Sequence, residues 1–320
     1  MRMKSLTAVV IALALATAFS CTMRKGELGT EKNPVRFYFM PLKGEEAFKA
    51  AAPVIEKYLT EHTGLVVRAE DSDDFITIIK ALGQKKADMA FMNTLGYVLA
   101  HDWTKAEAEL KYLYGDVYST YRGEILARVD GGIESVSDLN GKSIAFADAY
   151  SAGGYIYPMK LLKDNGVAPG KIVFAKGHKN AVQMLYDGKV DAAATYHTQP
   201  SSAGLMRDSR TEIAKEHPDV ISKIKIVALT DEIPNGPIAT RNGLPPEIRQ
   251  KLTAALKDFA RTPEGRKTLF ELYNMTGFTA SEDSDYDGVR KALDELGKSV
   301  QEVVPGGISF YKTYIVPGLE

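Results

Sequence analysis

The stretch Ser143-Ile144-Ala145-Phe146-Ala147-Asp148-Ala149-Tyr150-Ser151-Ala152-Gly153-Gly154-Tyr155, continued by Ile156-Tyr157-Pro158-Met159-Lys160-Leu161-Leu162, decides how this chain is read. Residues 143–147 are a short, mostly apolar run and read as a buried strand. Tyr155, Ile156, Met159 and Leu162 recur at helical spacing, so a helix is predicted over 155–165, ended by Gly166. Pro158 would cost a hydrogen bond in a helix interior, so this helix is either kinked there or begins its regular part late. Between strand and helix lies Asp148–Tyr155. Free amide groups at a helix start point outward and carry partial positive charge, and glycine lets an anion approach the backbone. A plain tight turn is the other reading of the same residues.

Outward from this unit the pattern repeats. Strands are predicted over 35–40, 65–69, 89–92, 171–175 and 223–229. Amphipathic helices are predicted over 44–62, after Asp73 or Asp74, from Pro245-Pro246 to about residue 260, and from Pro263. Strands alternating with helices are the grammar of a parallel α/β sheet. Residues 75–91 and 181–195 share a helix, a glycine break, a lysine, an aspartate and a small-residue strand. This recurrence suits two lobes of similar architecture.

The 320 residues carry 40 Lys and Arg against 41 Asp and Glu, a net charge of -1, which leaves no footprint for nucleic acid. Arg2, Lys4 and the apolar run 6–19 read as a signal peptide, too short for a comfortable membrane span. Cys21 is the only cysteine, so no intramolecular disulfide is possible. It is read as a lipidated first residue of the mature chain, the other reading being a chance cysteine beside the cleavage site. The polar segment after it suits a tether. The five histidines lack metal spacing, and neither a nucleophile elbow nor a lysine-bearing phosphate loop is present. No cofactor, no metal and no catalytic residue is expected.

An ordered set of short motifs runs through the chain. It comprises Asp74-Phe75, Asp88-Met89-Ala90-Phe91, Tyr121, Leu139-Asn140-Gly141-Lys142 and the loop with Asp148, Ser151, Gly154, Tyr155 and Pro158. It continues through Gly177-His178, Val190-Asp191, Ile233-Pro234-Asn235-Gly236-Pro237 and Thr262-Pro263-Glu264-Gly265-Arg266. On these residues the chain resembles the phosphonate, phosphite and phosphate binding proteins of ATP-binding cassette importers. The resemblance implies a two-lobed, type II periplasmic-binding-protein-like α/β fold with a hinge and a ligand cleft.

It also implies that ligand oxygens meet the loop at Ser151, Ala152, Gly153 and Gly154, two of the family's hydroxyl residues being replaced by Ala152 and Gly153. Tyr121 and His178 match cleft residues, and Phe75 stands where the family has a tyrosine. Phe75 and His178 also have packing or capping readings. Asn93 and Thr94 are added because α/β ligands bind beyond strand C-terminal ends, although a helix cap explains them equally. Thr198 and Gly236 stand at the family's amine-binding acidic positions, which makes an aminophosphonate the least expected ligand.

The expected organisation is therefore a signal peptide (1–20), a lipidated tether (21–32), and a discontinuous first lobe (33–118 and 231–278). A second lobe (119–230) and a C-terminal segment (279–320) anchored by Tyr311 and Tyr314 complete it. The chain would cross between lobes near 119–121 and 229–233. The expected function is capture of a small oxyanion and delivery to a membrane permease with its ATPase, by a monomer in the periplasm or on the outer face of the cell membrane, anchored through Cys21. Sensing through a partner kinase and binding of a different anion remain open.

Overall fold

The computed structural model describes residues 26–40, 45–115, 117–200 and 207–310. The proposed signal peptide, Cys21, Tyr311 and Tyr314 lie outside the described residues. The strands, in chain order, are β1 (Val35–Tyr38), β2 (Val67–Glu70), β3 (Met89–Phe91), β4 (Glu107–Leu113), β5 (Thr120–Arg128), β6 (Ser143–Phe146), β7 (Lys171–Phe174), β8 (Ala192–Thr198), β9 (Arg207–Asp208), β10 (Ile224–Pro234), β11 (Pro237–Thr240) and β12 (Gly277–Ala280). They form two separate sheets, in the orders β12-β4-β11-β3-β1-β2 and β10-β5-β8-β6-β7, with β9 paired to β8. The fold is thus two-lobed and α/β, as expected.

In the first sheet β1, β2 and β3 run parallel, while β11 and β12 return antiparallel. Its core shows the period of two that a strand imposes. Met89 and Phe91 join Val35, Phe37 and Phe39 on the face covered by helices Glu45–Thr63 and Pro246–Phe259. Ala90 and Met92 turn to the opposite face, against helices Phe75–Gly83 and Thr94–Thr104. Cover on both faces is why β3 reads as an unbroken apolar run. Phe37 stacks on Phe91 with ring centroids 4.8 Å apart.

In the second sheet β6 pairs in parallel with β7 and β8, and β5 runs antiparallel between β8 and β10. Leu126, Ala145 and Ala193 face helix His178–Tyr186. The Pro158 helix resolves in favour of a late start. A wide π-type turn covers Ala152–Ile156, and the regular α-helix is Tyr157–Asp164, with the proline in its first turn where its missing N–H costs nothing.

One crossing lies further along than expected. Residues 229–233 stay inside β10, paired with β5 up to Pro234 opposite Thr120. The chain changes sheet at Asn235-Gly236. A Cβ on Gly236 would sit 2.1 Å from the Met92 carbonyl and 2.9 Å from the Tyr112 ring, so only glycine fits this crossing. Helix Asp287–Glu295 then lies across both units. The Tyr286 hydroxyl donates to the Asn235 carbonyl at 2.9 Å, and Lys160 of the second unit pairs with Glu295 at 3.1 Å.

Candidate functional site

A cavity of about 720 Å³ lies between the two sheets. The first sheet supplies Asn93 and Thr94 beyond the end of β3, Tyr112 from β4 and Tyr114 just beyond it. The second supplies Tyr121 at the start of β5, Tyr196 and Thr198 at the end of β8, and His178. The crossing residues Asn235 and Gly236 form its base, and Phe270, Tyr273 and Asn274 close the first-lobe side. Placement beyond strand ends follows the rule for α/β sheets.

Two helices begin at this cavity. Asn93 caps helix Thr94–Thr104, its Oδ1 accepting from the Gly96 amide at 2.7 Å. Helix His178–Tyr186 starts at His178, and its N-cap Gly177 makes no side-chain cap bond. Each helix start presents amide donors and the positive end of a dipole. One comes from each lobe.

Polar groups around these ends are mostly engaged. The Thr94 hydroxyl donates to the Pro234 carbonyl at 2.9 Å. Tyr121 meets the Thr94 hydroxyl and the Gly153 amide, while burial pushes its phenol up to about 12 against those bonds. The Met92 amide donates to the Tyr112 hydroxyl, which lies 2.6 Å from the Pro237 carbonyl, and burial raises that phenol well above its usual range. His178 stands edge-on to Tyr196, ring centroids 4.8 Å apart. Burial and the Glu212 carboxylate beside it raise the Tyr196 phenol. Asn235 donates to the Tyr112 and Tyr118 carbonyls, and its buried Oδ1 has no partner among the described residues. The described lining holds one carboxylate, Glu212, and neither lysine nor arginine.

The expected site residues divide into two groups. Asn93, Thr94, Tyr121, His178 and Thr198 come together in the lining. Ser151, Ala152, Gly153, Gly154 and Phe75 do not line it. The Ser151 hydroxyl oxygen caps the turn, accepting from the Gly154 amide at 2.9 Å. Ala152, Gly153 and Gly154 are buried. A Cβ on Gly153 would lie 2.7 Å from the Tyr121 ring, so this glycine makes room for a tyrosine. Phe75 packs beside Gly96 at the start of the capped helix, where a Cβ on that glycine would come within 3.2 Å of its ring.

Sequence reasoning missed the first-lobe aromatic wall and Glu212. Tyr112 alternates with buried Leu110 in β4 and reads as ordinary core. Thr211 and Glu212 sit on a short 3-10 turn, Ser209–Ile213, whose one local signal is its N-cap Asp208, accepting from the Arg210 amide at 3.0 Å. Asn235-Gly236 did carry one, in its glycine between two prolines.

Residues 37–286 match the family described as ABC transporter, phosphonate, periplasmic substrate-binding protein. The chain is 25% identical over 317 residues to the phosphate-import protein PhnD of Mycolicibacterium smegmatis, covering 92% of this chain and 96% of that protein. It is 21% identical over 305 residues to the phosphonates-binding periplasmic protein of Escherichia coli, covering 92% and 86%. Among solved structures, PhnD1 of Prochlorococcus marinus in complex with methylphosphonate has a TM-score of 0.63 at 15% identity, covering 83% of this chain and 98% of that one. A binding-protein component of an ABC phosphonate transporter from Pseudomonas aeruginosa has a TM-score of 0.62 at 20% identity, covering 82% and 87%.

Proposed function

The chain belongs to the family of periplasmic substrate-binding proteins of phosphonate ABC transporters, and we propose that its cavity captures a tetrahedral oxyanion of the phosphonate, phosphite or phosphate kind. Its role is capture for an importer, not turnover. The observation that carries the ligand reading is the pair of helix starts, Asn93-Thr94 and His178, facing one cavity from opposite sheets. Hydroxyls of Thr94, Tyr121 and Thr198 stand around them. An anion bridging both lobes stabilises the closed form because only that form makes both sets of contacts.

In this reading the loop Ser151–Gly154 acts at one remove, by seating Tyr121, and Phe75 supports the helix that carries Thr94. The two lobes are 33–118 with the strands that follow Gly236, and 119–234. Glu212 tunes the choice of ligand. A carboxylate in a lining whose described residues include neither lysine nor arginine disfavours a dianion, and the Asn235 acceptor, unpaired among the described residues, favours a ligand that donates a hydrogen bond. Cys21 holds the mature chain at a membrane surface as a monomer.

Calorimetric titration with phosphate, phosphite and methylphosphonate tests the ligand reading. At least one should bind. Tyr121→Phe should then weaken binding by about ten-fold to a hundred-fold, the worth of one hydrogen bond to a charged group. Gly153→Val should weaken it further by displacing the Tyr121 ring. Binding by both variants at the parent's strength would place the ligand elsewhere. Mass spectrometry of membrane-extracted protein tests the anchor, since Cys21→Ser should abolish a lipid adduct.

A further inference from the structure

Behind the cavity wall the second sheet buries a second polar centre that oxyanion capture does not use. In the β5–β8 register Glu124 lies opposite Thr195 and Arg122 opposite His197, and in the β8–β9 register His197 lies opposite Asp208. Alternation along a strand puts Glu124, Thr195, His197 and Asp208 on one face, the face under helix His178–Tyr186. One ligand atom from each of Glu124, His197 and Asp208 falls within 4.8 Å of the others.

Glu124 is fully buried. Its Oε1 accepts from the Thr195 hydroxyl at 2.8 Å and the Ser209 hydroxyl at 3.0 Å. Its Oε2 is also buried and makes no hydrogen bond among the described residues, and neither does His197 Nδ1 facing it. These two atoms are 3.4 Å apart. That is longer than an ordinary N–H···O bond. It is the edge expected between two ligands each about 2.1 Å from a tetrahedral zinc.

We propose that Glu124 Oε2, His197 Nδ1 and an Asp208 carboxylate oxygen form a binding site for a divalent transition ion of the zinc type. Thr195 and Ser209 fix the glutamate so that its second oxygen is presented, which is what outer-shell partners of a metal ligand do. Asp208 already carries Arg210, with Nε at 3.0 Å and a terminal nitrogen at 2.8 Å. The guanidinium offsets one of the two carboxylate charges, so the cluster is left net negative and a bound dication would turn it net positive. His197 is flanked by Tyr196 and Thr198, so the ion would lie one layer behind the ligand-facing wall and tie β5, β8 and β9 together.

The test uses the full chain, stripped with a chelator and then titrated with zinc chloride alone. One equivalent of zinc should bind, survive desalting and raise the melting temperature. His197→Gln and Glu124→Gln should each weaken zinc by more than the roughly ten- to hundred-fold a lost outer-shell partner costs. His62→Gln, at an exposed histidine stacked on Tyr58 in the first lobe, should bind like the parent. Cobalt loaded into the parent should give the intense visible bands of a tetrahedral N and O site, a readout independent of any variant's folding. Failure of the parent to retain zinc, equal retention by His197→Gln, or a cobalt spectrum like the hexahydrated ion would each overturn the proposal.

Discussion

The two lobes contain the same unit and use it differently. In the first, helix Phe75–Gly83 turns through Asp88 into β3. In the second, helix His178–Tyr186 turns through Asp191 into β8. Each aspartate sits one residue before its strand's first paired position and accepts from the backbone amide one residue before that partner. Asp88 Oδ2 accepts from Arg36 at 3.0 Å, and Asp191 Oδ2 accepts from Ser143 at 2.8 Å. Their surroundings differ. In the first lobe the returning strand β11 delivers Arg241, whose Nε lies 2.8 Å from Asp88 Oδ1, with both side chains nearly buried. Asp191 is exposed and has the Ser143 hydroxyl as its second partner at 2.6 Å. The backbone task is identical, and burial sets its energetic weight.

Removing each aspartate should break that symmetry. Asp88→Ala strands the Arg241 guanidinium in a nearly closed site, so a loss of about 3–5 kcal/mol is expected. Urea unfolding followed through Trp103, in the first-lobe helix Thr94–Thr104, reads it directly. A loss below about 1 kcal/mol would mean that Arg241 reaches water when its partner goes.

Asp191→Ala should cost only about 1 kcal/mol, because an exposed carboxylate keeps most of its hydration. Its pH dependence sharpens the comparison. The Ser143 hydroxyl and amide hold the Asp191 carboxyl below its usual range. A depressed carboxyl contributes stability that is present above the unfolded value, about 3.9, and is lost as pH falls through the lower folded value. The gap between parent and variant should therefore hold at neutral pH and close in acid. A gap that widens in acid would contradict the assigned partners.

The same comparison explains what could be read from sequence. The repeated helix, glycine, aspartate and strand were legible because each is a local pattern with a local cause, periodicity or capping. The Pro158 helix was legible to the choice between a kink and a late start, since proline's missing N–H leaves those two outcomes. The cavity was half legible. Asn93, Thr94, Tyr121, His178 and Thr198 follow from strand ends and helix starts. Tyr112, Tyr273 and Glu212 do not: Tyr112 reads as ordinary core alternation in β4, while Tyr273 and Glu212 reach the cavity through the return of the chain after Gly236 and a short turn after β9. The Ser151–Gly154 loop, read from sequence as an anion site, does not line the cavity. Its glycines look built for an anion, yet the neighbour that needs the space at Gly153 is the ring of Tyr121, a contact that depends on β5 passing beneath the loop.

The smallest expected effect falls on the two helix starts. Asn93 caps its helix with a side chain, whereas the cap at Gly177 has none. Were capping the main reason for asparagine at 93, its replacement by alanine would cost about 1 kcal/mol and by glycine only a few tenths. Asn93→Gly should therefore barely move the melting temperature, by less than about 1 °C for a chain of this size. Asn93→Ala should move it by a few degrees, because the Gly96 amide loses its acceptor in both variants but alanine, unlike glycine, does not favour the non-helical cap conformation. Equal shifts for the two variants would show that the Asn93 side chain holds more than the Gly96 amide, and that the first helix start is anchored by the cavity wall as well as by its own cap.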